Sequence, residues 1–163
     1  WMPNREGVEW FLKNVWTRVV EQVPDAKFYL AGRNFPGEIK NLQVKGLVVV
    51  GEVEDAKQFI FSKSISIVPL FAGSGMRVKI IEAMALGRAV ISTTVGAESI
   101  SYSNGKDILI ADDAKGFAQA VINVLKDNEL RTQLGQNAQQ LIDSKYDNRK
   151  ICSAIIEFCK PYL

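Results

Sequence analysis

The chain has 163 residues, 47% of them hydrophobic, with a net charge of +2 and no histidine. That length and apolar content suit one ordinary domain spanning residues 1–163, whereas so small and scattered a charge excludes the clustered basic face that nucleic-acid binding needs. Without histidine there is no Ser-His-Asp or Cys-His nucleophile, no usual zinc or iron ligand set and no imidazole base, so any chemistry rests on carboxylates, cations, backbone amides or the substrate itself.

Pro3-Asn4 precedes a helical pattern from about Glu6 to Gln22, with Val8, Phe11, Leu12, Val15, Val19 and Val23 recurring on one face. Lys27 to Ala31 reads as a strand stopped by Gly32-Arg33-Asn34-Phe35-Pro36-Gly37, and Leu47 to Val50 as a second strand closed by Gly51. Glu54-Asp55 starts a helix through Phe59 to about Ser64, and Ile65 to Leu70 is a third strand. A helix follows the Gly73-Ser74-Gly75 turn, its Met76, Ile80 and Met84 forming an apolar stripe expected in the core. Ala89 to Ser92 and Ile108 to Ala111 are the last strands. From Asp113 onward the pattern is helical: Phe117, Val121, Val124 and Leu125 on one helix, Leu130, Leu134, Ala138 and Leu141 on a second, Ile151, Ile155 and Phe158 on a third. Cys152 and Cys159 share that third helix, about 10 Å apart along its axis, too far to bridge, and are expected to be packing residues. No apolar run approaches the roughly 20 residues of a bilayer span and no signal pattern opens the chain, so a soluble, cytoplasmic domain is expected.

Apolar strands alternating with helices predict an α/β domain, a Rossmann-like parallel sheet with helices on both faces and a helical C-terminal region. Ligands of such sheets lie beyond the carboxyl ends of the strands, where the loops at Gly32, Gly51 and Gly73 to Gly75 would ring one crevice. The third loop is the most informative. Glycines that let the backbone approach a ligand, a helix start, and Arg77, Lys79 and Glu82 in its first turns make an anion site suited to a phosphate or diphosphate. It is not the dinucleotide fingerprint, because Val78 stands where the third glycine belongs, and no P-loop sequence occurs anywhere. If the helix is regular from Gly75, Lys79 and Glu82 share a face, Arg77 points about 200° away from Gly75, and Glu82 lies roughly 10 Å beyond it, a span a nucleoside diphosphate can fill. Each residue has a second reading. Lys79 and Glu82 make an exposed ion pair, Arg77 is a solvated side chain, Ser74 is a helix N-cap, Arg33 is a surface cation and Glu98 a helix-start carboxylate.

The run from Pro69 to Thr94, with Arg77-Val78-Lys79-Ile80-Ile81-Glu82-Ala83-Met84-Ala85-Leu86-Gly87-Arg88-Ala89-Val90-Ile91-Ser92-Thr93-Thr94 at its heart, resembles the donor-binding half of family 4 glycosyltransferases, retaining enzymes of the GT-B fold. Pro24 to Arg33, Val50 to Asp55, Gly96 to Glu98 and Tyr146 add to the likeness. The resemblance implies one half of a GT-B fold that binds a nucleoside-diphosphate sugar for transfer to an acceptor in bacterial surface polysaccharide synthesis. The glutamate that ends the family's E-x7-E motif holds the donor ribose and corresponds to Glu82, while the first motif glutamate is replaced by Ser74. The loop from Gly51 to Val53 corresponds to the one that meets the base through main-chain groups, and Gly73, Gly75, Arg77 and Lys79 surround the phosphates, with Arg33 near the donor. Catalysis would be electrostatic, with no protein nucleophile, no metal and no cofactor beyond the donor. The resemblance further implies a partner, an N-terminal acceptor-binding domain absent here, a chain that starts just past the domain's first strand, and membrane contact only through the full-length protein at the inner membrane. The family's usual Arg and Lys near that strand have no clear equivalents in Trp1 to Gly7. A GT-B epimerase or phosphorylase and a non-catalytic nucleotide-binding module are the alternative readings.

Overall fold

A computed structural model describes residues 2–33 and 42–160. Trp1 and the expected turn at Asn34-Phe35-Pro36-Gly37 lie outside the described residues. The first helix begins earlier than its sequence pattern, as α1 (Met2–Phe11), passes through a π-helical turn (Leu12–Trp16) and continues as α2 (Thr17–Gln22). The wider turn shifts the register, so that Phe11, Val15, Trp16 and Val19 all reach the core with no more than 3% exposure. Trp16 then spends its one donor on Lys45 O at 2.8 Å.

The parallel strands are β1 (Phe28–Ala31), β2 (Leu47–Gly51), β3 (Ile65–Val68), β4 (Ala89–Ser92) and β5 (Leu109–Ile110). Between them run α3 (Ala56–Phe61) and α4 (Val78–Ala85), and after them α5 (Ala114–Lys126), α6 (Asn128–Lys145) and α7 (Asn148–Cys159). β3 stops at Val68 rather than Leu70, because Pro69 has no N–H to extend the ladder.

Side chains alternate across β4 and so divide the core in two. Ala89 and Ile91 join Phe11, Val15, Trp16 and Val19 with Phe117 and Val121 of α5, while Val90 faces Ile80, Ala83 and Met84 of α4 with Ala138 and Ile142 of α6. Helices therefore cover both faces, as the apolar strands predict. Aromatic rings tie the first cluster together: Phe11 sits 4.8 Å from Phe28 and 5.9 Å from Phe117, centroid to centroid.

One continuous sheet is not what forms. β1 pairs only with β2, and β3, β4 and β5 make a separate ladder, so β1 and β3 each have one hydrogen-bonded neighbour among the described residues. β4, paired on both sides, is buried at all four positions, whereas β1 and β3 are mostly half-buried. The third C-terminal helix also departs from expectation. On its apolar face Ile151, Ile155 and Phe158 are between 40% and 73% exposed, and Cys152 is exposed rather than packed.

The position of α1 is fixed at Gly7, which rests on the backbone at the end of β3. A Cβ at Gly7 would lie 2.2 Å from Pro69 O and 3.2 Å from Pro69 C, so no side chain fits without moving one element. Gly7→Ala is expected to cost about 1–3 kcal/mol through overpacking against backbone, read as a lower urea midpoint at unchanged slope. A neutral substitution would show that α1 can slide.

Candidate functional site

The candidate site grows from the end of β3. Three carbonyls there are engaged from different directions: Ser92 Oγ donates to Val68 O at 3.0 Å, Gly7 packs on Pro69 O, and the Thr93 hydroxyl donates to Leu70 O. Gly96 N in turn donates to Thr93 Oγ1 at 3.0 Å. The loop that follows leaves a rigid base.

Its first correction concerns where α4 begins. The helix starts at Val78, with Arg77 in the N-cap position at φ −88° and ψ 98°, so Gly75 and Met76 belong to the loop. The glycines turn the chain: Gly75 has φ +84° with open space around its missing Cβ, so the residue is required for conformation and not for clearance. Met76 is accordingly 45% exposed and only Ile80 and Met84 of the expected stripe are core.

Arg77 is not solvated. It is 8% exposed, and its Nη1 donates to Ser74 O at 2.5 Å, closing the loop on itself. Ser74 is exposed and is not a helix cap, since α4 has no side-chain cap at all. This sets α4 apart. At the starts of α3, α5, α6 and α7 an aspartate accepts from a first-turn amide: Asp55 from Gln58, Asp113 from Lys115 and Gly116, Asp127 from Leu130, and Asp147 from Arg149. The α4 start keeps its first amides free of any acidic side-chain cap and carries two cations, Arg77 and Lys79.

Lys79 stands on the first turn of α4, half-buried. Burial, and then the neighbouring charge of Arg77, lower its pKa below the ordinary lysine value. Its Nζ donates to Asn4 Oδ1 of α1 at 2.6 Å. The alternative of a Lys79–Glu82 ion pair therefore fails: among the described residues the two form no salt bridge, and the half-buried Glu82 carboxylate makes no hydrogen bond.

Arg33, Gly51 and Val53 form a second group, at the carboxyl ends of β1 and β2. Gly32 N donates to Gly51 O at 2.7 Å, and Arg33 Nε meets Glu52 Oε1 at 2.6 Å, both side chains well exposed. Arg33 is thus engaged by a carboxylate that the sequence did not single out. Asn4 was missed as well, because a residue 75 positions from Lys79 leaves no local spacing to read. Glu98 lies exposed in a turn, not at a helix start. Two open surface depressions, of about 490 and 460 Å³, lie along α5 and α6 and beside the π-helical turn, away from this loop. Among the described residues no group of acidic or cysteine side chains could hold a metal ion, and no helix is long and apolar enough to cross a membrane.

The sequence profile of the family described as "Glycosyl transferases group 1" matches residues 1–127. The chain belongs to this family. Among its curated relatives, an uncharacterised 44.6 kDa protein in the cps region of Klebsiella pneumoniae is 28% identical over 166 residues, covering 96% of this chain and 43% of the relative. The chain thus spans less than half the length of that relative. Among solved GT-B structures, Anabaena Alr3699/HepE in complex with UDP superposes with a TM-score of 0.74 at 17% identity, over 91% of this chain and 45% of that one. The C-terminal domain of the Francisella tularensis group 1 glycosyltransferase LpcC superposes with a TM-score of 0.72 at 20% identity, over 91% of this chain and 82% of that domain. Such likenesses confirm the α/β fold with parallel strands.

A half-buried cation with no counter-charge is a burden on the folded state. Lys79→Met, which keeps length and apolar contact, is expected to leave unfolding stability unchanged or up to about 1 kcal/mol higher. A clear loss of stability in thermal or urea unfolding would show that Lys79 is held for the fold.

Proposed function

We propose that this chain is the donor-binding half of a retaining, family 4-like sugar transferase that uses a nucleoside-diphosphate sugar in surface polysaccharide synthesis. One observation carries the reading: among the described helices that follow the strands, α4 alone opens without an acidic cap, beside Arg77 and Lys79 and one turn before a Glu82 that makes no hydrogen bond among the described residues. The diphosphate lies at the α4 start, where amides and Lys79 meet its charge, and Arg77 adds field while holding Ser74 in place. Glu82 accepts from the ribose hydroxyls, and the backbone of Gly51 to Val53 faces the base. The chain uses no protein nucleophile and promotes departure of the diphosphate by stabilising the developing negative charge. Ser74 offers a hydroxyl and backbone amides to the sugar in place of a carboxylate.

The relatives' greater length accords with an acceptor-binding domain elsewhere in the protein, and the UDP bound by the Anabaena neighbour accords with a nucleotide donor.

UDP and uridine separate charge from shape. Lys79→Ala is expected to weaken UDP by about 1.5–3 kcal/mol, the worth of a charge-assisted hydrogen bond, and to spare uridine. Glu82→Gln should lower UDP affinity and shrink the preference over deoxyuridine diphosphate, a preference worth roughly 1–3 kcal/mol in the wild type. An undiminished ribose preference would remove Glu82 from the site, and sugar transfer by this chain alone would sink the half-site reading.

The lowered Lys79 pKa gives a pH signature. A bound diphosphate favours the ammonium and raises that pKa, so binding in the alkaline range below about 10.4 takes up a proton, and affinity falls as pH rises through the free protein's value. Calorimetry of UDP binding in two buffers of different ionisation enthalpy measures the uptake. None at any alkaline pH would place Lys79 outside the phosphate contacts.

A further inference from the structure

Asn4 Oδ1 and Lys79 Nζ bring together α1, which packs through Gly7 on Pro69 just past β3, and α4, which follows the next loop. The chemistry of that acceptor is informative. A carboxylate in this position would form an ion pair and cancel the ammonium, whereas an amide oxygen accepts its proton and leaves the charge intact. Among the described residues no acid pairs with it: Glu9 on α1 is engaged by Arg5 at 2.6 Å, Glu82 makes no ion pair with Lys79, and the side-chain charge that bears on Lys79 is another cation, Arg77. Holding a flexible lysine in one rotamer also removes entropy that a ligand would otherwise have to take away.

We infer that Asn4 is a positioning residue of the anion site, tethering the Lys79 ammonium between α1 and α4 as an uncancelled charge for the donor diphosphate. The inference rests on the donor-binding reading above and adds to it a residue on α1. It also explains why the site works without a basic residue of its own at the α1 start: Arg5 is taken by Glu9, and the cation arrives from α4.

A double-mutant cycle tests it. With UDP as probe, Asn4→Ala should weaken binding about three- to tenfold, leave uridine binding within about twofold, and have no further effect in a Lys79→Ala background, because the two residues act as one unit. A second measurement needs no ligand. Asn4→Asp places a carboxylate at the same distance and raises the Lys79 pKa, so acylation of the Lys79 amine by an amine-reactive ester, followed by mass spectrometry, should slow about threefold or more. Should the Asn4→Ala loss persist undiminished in Lys79→Ala, or the acylation rate stay unchanged in Asn4→Asp, Asn4 is not the tether. Slowed acylation in Asn4→Asp, together with a wild-type protein that binds neither UDP nor inorganic pyrophosphate, would overturn the diphosphate assignment while the Asn4–Lys79 contact stands.

Discussion

The carbonyl groups of Val68, Pro69 and Leu70 are the hinge of this molecule's design. β3 ends at a proline, so the ladder cannot continue and three consecutive carbonyls are left to other partners. Ser92 and Thr93 take the first and third through their hydroxyls, and Gly7 brings the α1 backbone against the second. Gly96 is drawn into the same knot, since a Cβ there would lie 2.3 Å from Ser92 Oγ and 2.7 Å from Val68 O. One strand end thus fixes the helix before it, the turn after β4 and the glycine loop it launches.

Electrostatic asymmetry is built on that base. Where α3, α5, α6 and α7 use aspartate to satisfy their first amides, α4 begins on Arg77, whose buried side chain braces the loop through Ser74 O. Two cations then share one helix turn, a state that burial penalises and no described carboxylate relieves. Proteins retain such arrangements where an anion completes them. The glutamate one turn further stays clear of both cations, which leaves its oxygens open to hydroxyl groups.

The sequence disclosed the parts that depend on local pattern. Alternating apolar strands and helices predicted the α/β class, and the Gly-Ser-Gly turn before Arg77, Lys79 and Glu82 predicted the loop at the end of β3. It misjudged features decided by distant contacts. The sequence allows a helix regular from Gly75, because glycine and methionine leave no mark of an extended loop, whereas α4 begins at Val78, after Arg77 has folded back on Ser74. Lys79 and Glu82 have ion-pair spacing, yet Asn4 competes from another helix. Ile151, Ile155 and Phe158 have the spacing of a buried face, and periodicity alone does not say whether anything lies against it. The interruption between β1 and β3 was equally invisible, since an apolar strand reads the same with one neighbour as with two.

That interruption makes stability uneven along the chain. β4 has hydrogen bonds on both sides and four buried positions, so its amides open to solvent only when the whole assembly gives way. Among the described residues the two-stranded ladder of β1 and β2 has no strand pairing with its larger companion, and it is tied to the N-terminal helix by the ring contacts of Phe28 with Phe11 and Trp16. The Gly51 to Val53 loop and Arg33 ride on the looser half, Lys79 and Glu82 on the firmer one. A ligand spanning both would act as a fastener, and its ordering of the β1–β2 unit would register as amide-exchange protection far from any atom it touches.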